Sequence, residues 1–229
     1  MKGDTVKQKF ILAAFLAFIS AASFAQSIVA SKHDLSTGGG IANKSTNESQ
    51  VCIFCHTPHQ KTITATPLWN KNLSAQTTYG VYASSTLNAT LTEVGSGGTV
   101  SNLCLSCHDG TVAVNSLDNK SSIGANPTMG TGTELDATGK IAAARESMIG
   151  TSLTNDHPIN FTYDAALVTA DGGLVSPTSA SYVDAAHAVP LYGGKLQCAS
   201  CHNPHNNANT AFLRKANTGS ALCLTCHNK

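Results

Sequence analysis

The stretch whose reading decides the fold is Cys52–His59, CIFCHTPH. Two cysteines three apart with a histidine directly behind them suit three chemistries: a zinc cage, thiol–disulfide exchange, or a covalently held haem. Three further frames narrow the choice: CLSCH at 104–108, CASCH at 198–202 and CLTCH at 223–227, and no cysteine lies outside the four. Disulfide chemistry gives no role to a histidine after every pair, and exchange enzymes need one reactive pair on an α/β fold. Paired CxxC knuckles would make four-cysteine zinc sites, one per half, but would again leave four histidines unexplained. Covalent haem does require this spacing. Two thiols add across two vinyl groups of one porphyrin, and the next residue turns its imidazole to the iron. The frames therefore predict four covalently attached haem c, held by Cys52, Cys55, Cys104, Cys107, Cys198, Cys201, Cys223 and Cys226. The proximal iron ligands are His56, His108, His202 and His227.

The frames are not all alike. The first and third continue as CHTPH and CHNPH, whereas the second and fourth sit in NLCLSCHDG and ALCLTCHNK, so the order is A, B, A, B. This is a duplication: a first dihaem module at 26–118, a second at 150–229, and a Gly/Ser/Thr-rich linker or surface excursion at 119–149. The linker holds one helix-like run, IAAARESM. VYASSTLNATLTEV and FTYDAALVTADGGLV suggest short strands or ribbons. The expected fold is a multihaem cytochrome c: mostly coil, short helices at the CxxCH frames, one or two small β-hairpins, and a core built from haems.

Composition points the same way. Aromatic residues are 6% and charged residues 12%, too few to build an ordinary core. Haem faces supply the missing apolar mass, so the apo chain is expected to fold poorly. MKGDTVKQK followed by FILAAFLAFISAASFA reads as a secretory signal peptide, 1–25, cut before Gln26. Later segments are not apolar enough to span a membrane. The leader takes with it Lys2, Lys7, Lys9 and Asp4, which turns the formal +1 into −1. Four ferric haems with their propionates lower this to roughly −5. With Arg145 and Arg214 as its only arginines, the chain offers no nucleic-acid footprint.

Five histidines remain for four vacant axial positions: His33, His59, His157, His187 and His205. The non-initiator methionines, Met129 and Met148, both lie in the linker and obey no repeat, so the distal ligands are expected to be histidines. His59 and His205 lie three residues past a proximal histidine, on the same side of a short turn. They are badly placed for the far face of their own haem and well placed for a neighbour's iron. His33 and His157 complete the set. His187 is the alternative to His157, being 11 residues before Cys198 against 41, but NDHPI is a loop fixed by Pro158 whereas AAHAV reads as an ordinary helix or strand position. Which haem each distal histidine serves is open at this level.

CIFCHTPH, LCLSCHDG, NDHPI, CASCHNPH and ALCLTCHNK resemble the doubled-CxxCH multihaem cytochromes of metal-reducing bacteria. The signal-bearing four-haem layout is similar to that of OmcE-type outer-surface tetrahaem cytochromes. The resemblance implies closely packed bis-histidine haems that pass electrons by hopping, in extracellular electron transfer. In filament-forming relatives subunits polymerise and one axial histidine is lent to the next subunit; the resemblance does not determine which histidine of this chain that would be, and terminal His33 is a natural candidate. Implied partners are redox cytochromes or extracellular acceptors, and further copies of the chain. The location is the outer surface, with the periplasm, and a soluble shuttle there, as the alternative. No CxxCK frame marks a catalytic haem, so an electron-transfer protein is expected in preference to a multihaem reductase or oxidase of a small nitrogen compound.

Overall fold

A turn of chain that must present two sulfurs and an imidazole on one side closes on the carbonyl of its first cysteine. The computed structural model describes residues 27–57, 68–95, 99–120 and 123–228, and the expected leader and His59 lie outside them. In it, His56, His202 and His227 each donate their backbone N–H to the carbonyl of the first cysteine of their frame, at 2.8, 3.0 and 2.9 Å. The first and fourth frames are single 3-10 turns, Cys52–Phe54 and Cys223–Thr225. The second lies in helix α1, Val100–His108, and the third in helix α3, Cys198–Cys201.

Helix α1 runs longer than a turn because it is capped and packed. Thr99 accepts the N–H of Asn102 with its side chain, and Ser101, Asn102, Leu103, Leu105 and Ser106 are all buried. Helix α3 packs against it. Gln197 forms a capping box with Ser200 and also accepts from the N–H of Ser101 at 2.9 Å, while the N–H of Cys198 donates to Ser101 Oγ at 3.1 Å. One glutamine thus caps its own helix and satisfies an orphan donor at the start of its neighbour.

Strand structure is sparse and long-range. Strand β1, Gly80–Val81, pairs in parallel with β2, Ser152–Leu153, and β3, Phe161–Thr162, pairs antiparallel with β4, Lys195–Leu196. Neither pair is a hairpin, since each joins distant segments. After β3 the run FTYDAALVTADGGLV turns into helix α2, Ala165–Asp171, because Asp164 caps it by accepting from Leu167 N–H and Gly172, at φ 71°, ends it in the left-handed region. VYASSTLNATLTEV continues past Val81 as turns and coil. The run IAAARESM is not a helix. Ile141 bridges to Leu135 across an Asp136–Gly139 turn, and the remaining stretch is too short to nucleate against that pairing. The excursion also packs back on the first half: Ser45 bridges to Met129, and Asn43 Nδ2 donates to the Gly130 carbonyl at 3.0 Å.

Among the described residues two small apolar clusters form, and each lies under a B-type frame. Tyr79, Val94, Leu105 and Leu153 gather beneath α1. Phe161, Tyr163, Val183, Val189, Leu191 and Leu196 gather beside Leu222 and Cys226 of the fourth frame.

Candidate haem centres

Each histidine expected as a proximal ligand is pinned from behind by a return segment. His56 bridges to Trp69, His202 to Leu213 and His227 to Leu174, and the carbonyl of His108 accepts the N–H of Ile149 at 2.8 Å. The two A-type frames are built alike. The Cys55 carbonyl accepts from Asn70 N–H and the N–H of Thr57 donates to Leu68. At the third frame the Cys201 carbonyl accepts from Arg214 and Asn203 donates to Phe212. Leu68 and Phe212 share φ 58°, a left-handed conformation that a bulky residue adopts only under constraint. The duplication therefore extends past the CxxCH frames into LWNK (68–71) and FLRK (212–215), an echo in the sequence that the spacing of the cysteines does not disclose.

The histidines gather in twos. His33 and His108 have ring centres 6.0 Å apart at 76°, His56 and His205 are 6.0 Å apart at 15°, and His157 and His227 are 6.3 Å apart at 71°. Two imidazoles on opposite sides of one metal ion, each with a bond of about 2 Å and a half-ring of about 1 Å, put their centres about 6 Å apart. The observed separations fit that arrangement and are too wide for stacking contact. Among the described residues, no group of three or more His, Cys, Asp or Glu side chains comes together as a metal-holding cluster.

Ring orientation is set by backbone carbonyls. The Nδ1 atoms of His108, His157 and His202 lie 2.7, 2.8 and 2.8 Å from the carbonyls of Ser147, Pro158 and Ala211. An Nδ1–H given to a carbonyl leaves Nε2 as the lone-pair donor, the tautomer that ligates iron. His33 Nδ1 is buried with no hydrogen-bond partner, and Phe212 packs against the ring at 4.4 Å between centres. Burial first, then the neighbouring His108, His202 and His205, lower the pKa of His33 to about 4. Burial likewise lowers His108 and His205. Burial thus favours the neutral form of these imidazoles, the form that can bind a metal.

The segment carrying His33 is held by Asp34, whose carboxylate accepts from Ala30 N–H at 2.8 Å, Ser36 N–H at 3.0 Å and Ser36 Oγ–H at 2.6 Å. Gly39 and Gly40 let the same loop close on itself: a Cβ would lie 2.0 Å from the Asp34 carbonyl oxygen at the first and 2.3 Å from that of Ala30 at the second. Such approaches admit no side chain. His187 stands apart. It is exposed, at φ 56°, and its ring stacks on Tyr182 at 4.3 Å.

The cysteines are also drawn together between frames. The Cys104 and Cys198 thiols act on each other across the α1–α3 contact, which holds the Cys104 thiol high and Cys198 low. Burial pushes Cys55 up to about 12 and also raises Cys107, each within the other's field or that of Lys71. At the far end, burial lifts Cys226 to about 11, with Cys201 acting in the same sense. Adjacent frames thus approach in the order first–second, second–third and third–fourth.

Residues 189–229 match the family model described as the doubled CXXCH motif. No curated protein matches the chain. The matched span holds the third and fourth frames, which indicate covalently bound haem c, and it supports a multihaem c-type cytochrome involved in electron transfer.

Proposed function

We propose that the chain is an exported tetrahaem c-type cytochrome that carries electrons along four bis-histidine haems in extracellular electron transfer, as a subunit of a filament. The observation that carries this reading is the gathering of histidines into pairs about 6 Å apart, each joining one proximal and one expected distal residue. In this reading His33 completes the second iron, His205 the first and His157 the fourth. His202 is left for His59, which lies outside the described residues. The two CHxPH segments then exchange their second histidines, so that neither half is complete without the other. His187 takes no iron.

Haem c supplies one-electron exchange at iron. The cysteines would tether it, and the paired imidazoles, three of them oriented by backbone carbonyls, would hold its iron and leave a small molecule without an open site. Low-spin spectra in both redox states are expected. Rapid carbon monoxide binding to the ferrous protein would instead favour a reductase or oxidase. Intact mass is expected to show four haems on a chain beginning near Gln26, and a mass without added haem would sink the proposal. Negative-stain microscopy of secreted material separates a filament from a monomeric shuttle. His33 lies beside His108 of its own chain, and with all four irons supplied from within one chain this reading needs no histidine lent between subunits.

A further inference from the structure

Lys71 is the one lysine among the largest fully buried side chains of the described residues, with 1% of its surface exposed. Its Nζ donates to the carbonyl oxygens of Ala113 and, at 3.3 Å, Ser116. The neighbouring Asn70 donates its backbone N–H to Cys55 at 2.9 Å and its side chain to the carbonyl of Ile53 at 2.7 Å, so the lysine is locked against the first frame. Its ammonium acts on both Cys55 and Cys107. Asp109 directly follows His108 at the end of the second frame, and its carboxylate also acts on Cys107. Asp109 is itself buried and fastened, accepting from Tyr79 O–H at 2.7 Å and from Thr111 N–H at 2.8 Å. The first frame therefore sees a buried cation, and the second sees the same cation and a buried anion.

A fixed positive charge disfavours the ferric ion, which carries one more positive charge than the ferrous, and the effect is large only where water is excluded. We propose that Lys71 is an electrostatic tuning residue that raises the reduction potential of the haem at Cys52–His56 above that of the haem at Cys104–His108, where Asp109 offsets it. The inference rests on the haem reading above. The duplication provides an internal control: Lys215 occupies the equivalent place in FLRK and donates from Nζ to Thr225 Oγ1 at 2.9 Å, but it is only half-buried and screened by solvent.

The test is a haem-resolved NMR redox titration of the holoprotein and of Lys71→Met, Lys71→Arg, Lys215→Met and Asp109→Asn. Lys71→Met should shift the ferric–ferrous equilibrium of the first-frame haem toward ferric by about tenfold, about 59 mV for one electron. Lys71→Arg should keep the native value, Lys215→Met should change its nearest haem by less than about threefold, and Asp109→Asn should move the second-frame haem the opposite way. Equal shifts at all four haems, or none at the first, would overturn the proposal. Should Lys71→Met not assemble, the native protein decides, because a first-frame potential below the second overturns it equally. Amine labelling offers a readout free of redox: Lys71 should resist acetylation in the folded chain while Lys32 reacts. Intact mass keeps the two readings apart, since fewer than four haems counts against the haem assignment and leaves the sign of the Lys71 effect to be read on those present.

Discussion

At the scale of the residue, function depends on which imidazole faces which. His205 reaches His56 of the other half, nearly parallel to it at 15°, and lies three residues beyond His202. Replacing His205 with Ala should leave one haem in four, about a quarter of the total, able to bind carbon monoxide when ferrous and high-spin when ferric. His187→Ala should leave the low-spin spectrum unchanged, because that ring only stacks on Tyr182. Asp34 acts one residue away from His33. Burial opposes its ionisation, but the Ser36 side chain and the Ala30 and Ser36 N–H groups outweigh it and hold the pKa below the ordinary 3.8. A folded pKa below the unfolded one contributes stability above the unfolded value and loses it as pH falls through the folded one. The loop around His33 should therefore loosen in acid, below about pH 4. Asp34→Asn, which turns an amide against the Ala30 N–H, should cost about 1–3 kcal/mol, measured by urea denaturation at neutral pH, and should lose most of that difference in acid.

At the scale of the element, the helices are short and depend on caps and on each other. Gln197 serves both α1 and α3, so Gln197→Ala removes capping bonds of both helices with one side chain, together with its bonds to Ser101 Oγ and the Tyr192 carbonyl. A loss of about 1–2 kcal/mol in chemical denaturation is expected, with Thr99→Ala costing about 1 kcal/mol by the single cap of α1. The sequence announced the frames as helical turns and was silent on the extent of α1, since Ser101, Asn102 and Ser106 do not look like interior residues. Ser101 and Ser106 can be buried because their hydroxyls find partners across the α1–α3 contact and within the turn, whereas Asn102 is buried with its Oδ1 unpartnered. The run IAAARESM misled for the opposite reason: its propensity favours a helix, and a bridge from Ile141 to Leu135 takes the residue that would start it.

At the scale of the whole molecule, the two apolar clusters of the described residues, with four and six buried side chains, are little core for such a chain. Expression without haem attachment should give a chain with poor amide dispersion and weak protection from proteolysis, whereas the holoprotein resists both. Removing the fourth attachment with Cys223→Ser and Cys226→Ser should lower the intact mass by one haem. It should also loosen the larger cluster, which packs against Cys226 and Leu222. Loss of resistance should begin at the Phe161–Leu196 pair, read by hydrogen exchange.

The sequence by itself determined the chemistry. Cysteine spacing, the following histidine and the fourfold repetition are local facts, because one turn of chain is enough to bring two sulfurs and an imidazole to one side. It also isolated the candidate distal histidines, since few other ligands were on offer. Tertiary structure alone decided which of them meet: His33 with His108, His205 with His56 and His157 with His227 are separated by 75, 149 and 70 residues of chain. Contacts over such distances follow from how return segments, glycine-closed loops and capped helices fold back on one another, and spacing along the chain carries no record of that. The burial of Lys71 belongs to the same class. Nothing in LWNK marks its lysine as interior until the loop after α1 closes over it with two carbonyl oxygens.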